Sequence, residues 1–109
     1  MEGVLEEGSM VKSLFCVLEM DGRSGVRECT ATRIGPLGIE VEASTAPVGR
    51  FTWLEFVVPG TDYRVKALAE VIACIAAGGV IRTIMRFKHL FPRDRARLSA
   101  WFVETKAAA

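Results

Sequence analysis

The stretch Tyr63-Arg64-Val65-Lys66-Ala67-Leu68-Ala69-Glu70-Val71-Ile72-Ala73-Cys74-Ile75-Ala76 admits two readings, and the choice between them decides the fold. Leu68, Val71, Ile72 and Ile75 recur at helical spacing, whereas Val65, Ala67, Ala69, Val71 and Ala73 alternate as one face of a strand. Turn chemistry on both sides favours the strand. Pro59-Gly60-Thr61-Asp62 closes the segment before it, and Gly78-Gly79 leads into 80–87 as a hairpin mate. One long strand over 63–76 follows, and with it a mainly β chain.

Working outward, Phe51–Val58 is rich in aromatic and branched residues and reads as a strand. Ile39–Ala43 alternates with Ile39 and Val41 inward and the acids Glu40 and Glu42 outward. Val26–Ile34 also alternates, but neither of its faces is strongly apolar. Ser13–Met20 is a further short apolar run, and Asp21-Gly22 supplies a turn residue pair suited to positive φ. Trp53, Phe56, Tyr63 and Phe87 fall inside strong strand patterns and are assigned to the core. At the other end, Pro92–Lys106 reads as a helix. Pro92 suits the first helical position, Asp94 places an acid in the first turn, and Leu98, Trp101 and Phe102 share one stripe. Phe91 before it is a hydrophobic anchor in place of a polar cap. Six strands and a final helix make a small barrel with an end or side covered.

With 109 residues, half of them hydrophobic and a quarter charged, the chain suits one compact domain with its own core. We divide it into an acidic, flexible segment at 1–11, a domain at 12–106 and a tail at 107–109. The acidic start lacks a secretion signal and the longest apolar run is too broken to span a bilayer, which implies a cytoplasmic protein. Cys16, Cys29 and Cys74 are far apart and odd in number, and read as small buried thiols. Net charge is only +1, yet residues 1–54 carry five bases against eight acids and the remainder nine against five. The excess gathers on Arg82, Arg86, Lys88, Arg93 and Arg97, a basic strip able to meet an acidic partner surface or a phosphate.

Catalysis finds little foothold. His89 is the only histidine and has no cysteine or acid beside it in a metal or triad pattern, and neither a nucleophile elbow nor a phosphate loop occurs. The chain is read as not an enzyme, with no metal. Polymeric nucleic acid is excluded as a partner too, because a nearly neutral protein lacks the electrostatic drive that dominates such binding.

The segment Thr32-Arg33-Ile34-Gly35-Pro36-Leu37-Gly38-Ile39-Glu40-Val41 lies between two strands. Together with 53–59, the long strand 64–76, Arg86-Phe87 and Pro92-Arg93-Asp94-Arg95-Ala96-Arg97-Leu98, it resembles the PilZ domain family over roughly Lys12 to Glu104. The resemblance implies a six-stranded antiparallel PilZ-like β-barrel with a C-terminal α-helix. Family members that bind c-di-GMP carry Arg-x-x-x-Arg ahead of the first strand and Asp/Asn-x-Ser-x-x-Gly after the second. Paired guanidiniums clamp phosphates and stack on guanine, while the acid, hydroxyl and glycine supply short polar contacts and close backbone approach. Here residues 6–13 hold Lys12 but no arginine, Arg33 stands where the acid would be and Gly35 where the serine would be; Gly38 alone matches.

What the resemblance implies is therefore a degenerate member: a non-catalytic signalling adaptor acting through protein partners in bacterial motility or surface behaviour. It has no cofactor and little or no c-di-GMP binding. The alternative is a c-di-GMP receptor with a non-standard site drawn from Lys12, Arg23, Arg27 or Arg33. Gly38 is expected to hold a backbone conformation that larger residues resist. Partner contact is expected through the basic strip or a sheet edge.

Overall fold

The structure is a computed structural model, and it describes residues 15–20, 25–47 and 49–108. The acidic segment 1–11, Lys12, Arg23 and the Asp21-Gly22 turn lie outside the described residues. Six strands precede one helix: β1 (Phe15–Met20), β2 (Val26–Ile34), β3 (Gly38–Ala43), β4 (Phe51–Val57), β5 (Arg64–Ala77), β6 (Val80–Leu90) and α1 (Pro92–Ala108). The strands close into an antiparallel barrel in the order β1-β2-β3-β6-β5-β4. The ambiguous stretch is a strand throughout. Residues 64–70 pair with β4 on one side, and Ala67–Ala77 pair with β6 as the hairpin mate, so the ladder overrides the helical spacing.

Alternation fills the barrel. Val17, Ile34, Ile39, Val41, Leu54, Val58, Val65 and Met85 are all buried in one cluster, and Leu98 of α1 joins them from the helix. The weak patterning of β2 has a concrete origin. Its register against β3 slips between Ala31 and Arg33, so Cys29 and Ala31 point inward before the bulge and Ile34 points inward after it. A strict period of two splits these three residues between the two faces. Two further slips, between Leu68 and Ala69 and between Val71 and Ala73, bend the β5–β6 ribbon.

The aromatic assignments divide. Phe56 and Phe87 are buried, with ring centroids 6.5 Å apart. Trp53 and Tyr63 are not core residues. β4 turns Thr52, Leu54 and Phe56 inward, so Trp53 must lie on the outer face, where the Lys66 ammonium stands 5.5 Å from its ring centre. Tyr63 precedes β5 and is exposed beneath the Arg97 guanidinium, 4.7 Å from its ring. Of the thiols only Cys29 is buried; Cys16 and Cys74 are exposed, because each occupies a position that alternation or the projecting hairpin turns to solvent.

The helix docks by the expected stripe. Leu98 is buried, Trp101 and Phe102 are half-buried against the core, and the Trp101 indole N–H donates to the Pro59 carbonyl at 2.9 Å. Phe91 accepts the first helical hydrogen bond, from Arg95 N–H at 2.9 Å, but its ring is half-exposed and packs edge-on against His89 instead of anchoring in the core. Among the described residues no helix is long and apolar enough to cross a membrane.

Candidate functional site

At the helix-bearing end of the barrel, β2 and β3 are joined by Gly35-Pro36-Leu37-Gly38. The Gly35 N–H donates to the Gly38 carbonyl at 2.9 Å, and Phe87 N–H of β6 donates to the Leu37 carbonyl at 2.9 Å, which ties the turn to the neighbouring strand. Gly35 and Gly38 are buried while Leu37 is exposed. Gly38 opens β3 with ordinary backbone angles. Positive φ occurs at Gly25, Gly49, Gly60, Gly78 and Gly79, so the expectation of a special conformation at Gly38 fails; a strand residue paired with Arg86 has no need of one. Arg33 stands on β2 opposite Glu40, and Arg86 on β6 opposite Gly38. Arg86 is thus opposite a strand position that carries no side chain, with Arg33 on the neighbouring strand two positions along.

The five bases of the strip are not one surface. Arg82 is committed to Glu42, with Nη2 at 2.8 Å and Nε at 3.2 Å from Oε1, and Glu40 lies 3.9 Å from its Nε. The Glu42 hydrogen bond and the two carboxylate charges raise its pKa further. Arg86 and Lys88 lie on the outer face of β6 around Glu70, a buried acid of β5. Arg50 Nε donates to Glu70 Oε2 at 2.8 Å and Lys88 Nζ sits 3.9 Å from Oε1. The Arg50 hydrogen bond, with the surrounding positive charge, holds the Glu70 carboxyl below its ordinary range. Arg93 and Arg97 belong to α1, where Arg97 covers Tyr63. Beside that pair a groove of about 240 Å³ runs between α1 and the β4–β5 connection, lined by Thr61, Tyr63, Ala96, Arg97, Ala100 and Trp101.

At the opposite end of the barrel the structure assembles a cluster that sequence reasoning missed. Glu19 on β1 and Arg27 and Cys29 on β2 all face inward, and Glu19 is directly opposite Arg27. Arg27 Nη2 donates to Glu19 Oε2 at 2.7 Å, and the Cys29 thiol reaches the same oxygen at 3.6 Å. Arg27 Nη1 donates both to the Thr45 carbonyl and, at 2.8 Å, to Thr45 Oγ1. Burial opposes the Arg27 charge, but the Glu19 carboxylate outweighs it and raises its pKa. Burial and the same carboxylate push the Cys29 thiol up to about 11. Arg27 is therefore spent inside one end of the barrel, away from the β2–β3 turn. The available signal was the strand parity Glu19, Arg27, Cys29, but it required the pairing register to be read. Among the described residues no cluster of three or more potential metal ligands occurs.

No family model and no curated relative matches this sequence. Solved structures do match. The Bacillus subtilis inhibitor of motility MotI/DgrA superposes with a TM-score of 0.76 over 92% of this chain at 11% identity. The chain spans half the length of that protein. The fold is accordingly a PilZ-like closed barrel of six antiparallel strands with a C-terminal helix.

Proposed function

We propose that this protein is a non-catalytic adaptor of the PilZ type, regulating bacterial motility or surface behaviour by contact with a protein partner and without c-di-GMP as an obligatory ligand. The observation that carries this reading is the end of β2 and its turn, where Arg33 and Gly35 stand in place of the acid and the hydroxyl that a receptor needs. Losing several charge-assisted contacts of that kind removes most of a micromolar affinity. The structural neighbour's name, an inhibitor of motility, supports the regulatory side of the reading. Arg86, Arg93 and Arg97 are the strip residues best placed for an acidic partner, since Arg82 is already neutralised by Glu42.

A receptor with a non-standard site is the second reading, and the pair Arg33 and Arg86 beside bare Gly38 favours it. One titration separates the two. Calorimetry with c-di-GMP at low salt is expected to show no saturable heat; saturation at micromolar ligand, lost in Arg33→Ala, would establish the receptor instead. For the adaptor, reversing Arg86, Arg93 and Arg97 to glutamate in a folded protein is expected to abolish partner capture, and unchanged capture would exclude the strip.

A further inference from the structure

Beyond the last pairing with β4, strand β5 continues as one arm of a projecting hairpin. β4 pairs with residues 64–70 only, and Val71 N–H donates to the Arg50 carbonyl at 2.7 Å. From Ile72 to Ala77 the strand bonds to β6 on one side, and among the described residues nothing pairs with its other side. Gly78 and Gly79, with φ of 60° and 83°, form the two-residue turn, so Ala77 and Val80 are the hydrogen-bonded pair that flanks it. Alternation then turns the N–H and C=O groups of Cys74 and Ala76 to the free edge, while Ile72 sits in the bulge between Val71 and Ala73.

This edge carries none of the devices that keep strands apart. From Val71 to Ile81 the sequence holds no charged residue and no proline, and Cys74, Ile75, Ala76, Ala77 and Val80 are exposed. Natural edges of this length are protected by lysine, proline, inward charge or a cover. The strands otherwise close into a barrel, and among the described residues this edge has no pairing partner.

We propose that the Ile72–Ala77 edge pairs antiparallel with the same edge of a second copy of this chain, forming a two-fold dimer. A second copy fits because an antiparallel edge is complementary to itself under a two-fold axis. Centred on Cys74, the pairing sets Cys74 opposite Cys74 and Ala76 opposite the bulged Ile72 of the second copy and makes about two to four main-chain hydrogen bonds. It also brings the exposed Ile75 of the two copies close to the axis without placing like charges across the seam, Arg82 being held by Glu42. So short an interface belongs to the class below about 1,200 Å², so dimerisation is reversible and concentration-dependent. The dimer does not rest on the adaptor reading and stands or falls without it.

The test is sedimentation of the full chain from low micromolar to near-millimolar concentration. Ala76→Pro removes an N–H that faces the free edge and leaves the hairpin's own ladder intact. Ile75→Lys puts like charges either side of the axis. Each is expected to weaken dimerisation at least about tenfold while circular dichroism and Tm stay those of the wild type. Should Ala76→Pro lower Tm, Ile75→Lys carries the result. In a Cys16→Ser background, Cys74 pairs about 5.5 Å apart are expected to give a dimer with a short bismaleimide. A wild type that is monomeric at every concentration, variants that dimerise as tightly as wild type, or a dimer without the Cys74 cross-link would each overturn the proposal.

Discussion

Truncating Arg27 to alanine strands Glu19 inside the barrel. Glu19 keeps 4% of its side-chain surface in water and has two side-chain partners, Arg27 at 2.7 Å and the Cys29 thiol at 3.6 Å. Breaking a buried ion pair from one side costs roughly 3–5 kcal/mol, because the surviving charge is left desolvated. Arg27 is itself 24% exposed, so water can follow the truncation inward, and we expect about 2–4 kcal/mol. That is a large share of the roughly 5–15 kcal/mol that holds a domain together. The measurement is urea unfolding by circular dichroism, with Arg64→Ala as the control. Arg64 pairs with Glu55 at 3.1 Å while 63% exposed, a surface arrangement worth about 1 kcal/mol or less. The loss in Arg27→Ala should exceed that in Arg64→Ala. Glu19→Gln/Arg27→Ala should recover part of it at neutral pH, since no unpaired charge remains. An Arg27→Ala protein as stable as Arg64→Ala, or a double variant no better than Arg27→Ala alone, would refute the reasoning.

The helix anchor and the buried thiol give two further tests. Trp101 is half-buried and donates to Pro59, so Trp101→Ala is expected to cost about 2–3 kcal/mol, below the 3–5 typical of a fully buried aromatic, and Trp101→Phe about 1 for the hydrogen bond. Thermal unfolding reads both; wild-type stability in Trp101→Ala would mean that Leu98 and Phe102 suffice to hold α1. Cys29 has a folded pKa pushed from 9.0 to about 11, chiefly by burial and then by Glu19. A raised thiol pKa stabilises the fold fully below the unfolded value and loses that contribution as pH climbs through about 11. We expect urea midpoints to fall between pH 9 and 11 and about 2–3 kcal/mol of that fall to vanish in Cys29→Ala, other groups titrating equally in both proteins. Equal slopes would contradict it.

Much of this fold was legible because its punctuation is strong. Pro59-Gly60, Gly78-Gly79 and Pro92 bound β4, β5, β6 and α1 within one to three residues, apart from the two extra residues of the helix at its end. What stayed hidden depends on register. A bulge at β2 moved Ile34 to the face of Cys29 and Ala31, and no count along one strand shows a bulge, which is a relation between two. Trp53 was assigned inward on residue type, whereas parity with Leu54 and Phe56 had already placed it outside. The basic strip was read as a run of charges. Its breakup follows from cross-strand neighbours, Glu42 opposite Arg82 and Glu70 opposite Arg86, that lie 40 and 16 residues away in the chain.

The same registers decide where binding can occur. A barrel this small is filled by its own side chains, and here the described interior runs from the apolar cluster of Val17, Leu54 and Met85 to the Glu19–Arg27 pair at one end, with Leu98 of the helix at the other. Recognition by the described residues is therefore assigned to the outer faces and edges. On the outer faces several acids and bases already satisfy one another: Glu42 holds Arg82, Glu70 holds Arg50, and Glu55 holds Arg64. Such pairs cannot serve a partner without being broken first. Among the described residues, groups without an ion pair of that kind include Arg33, Arg86 and the helix arginines, and the main chain of β5 is open at one edge. The arginines offer charge and the strand edge offers hydrogen bonds with apolar contact, so raising the salt should weaken partners held by the arginines while sparing a dimer held by the strand edge.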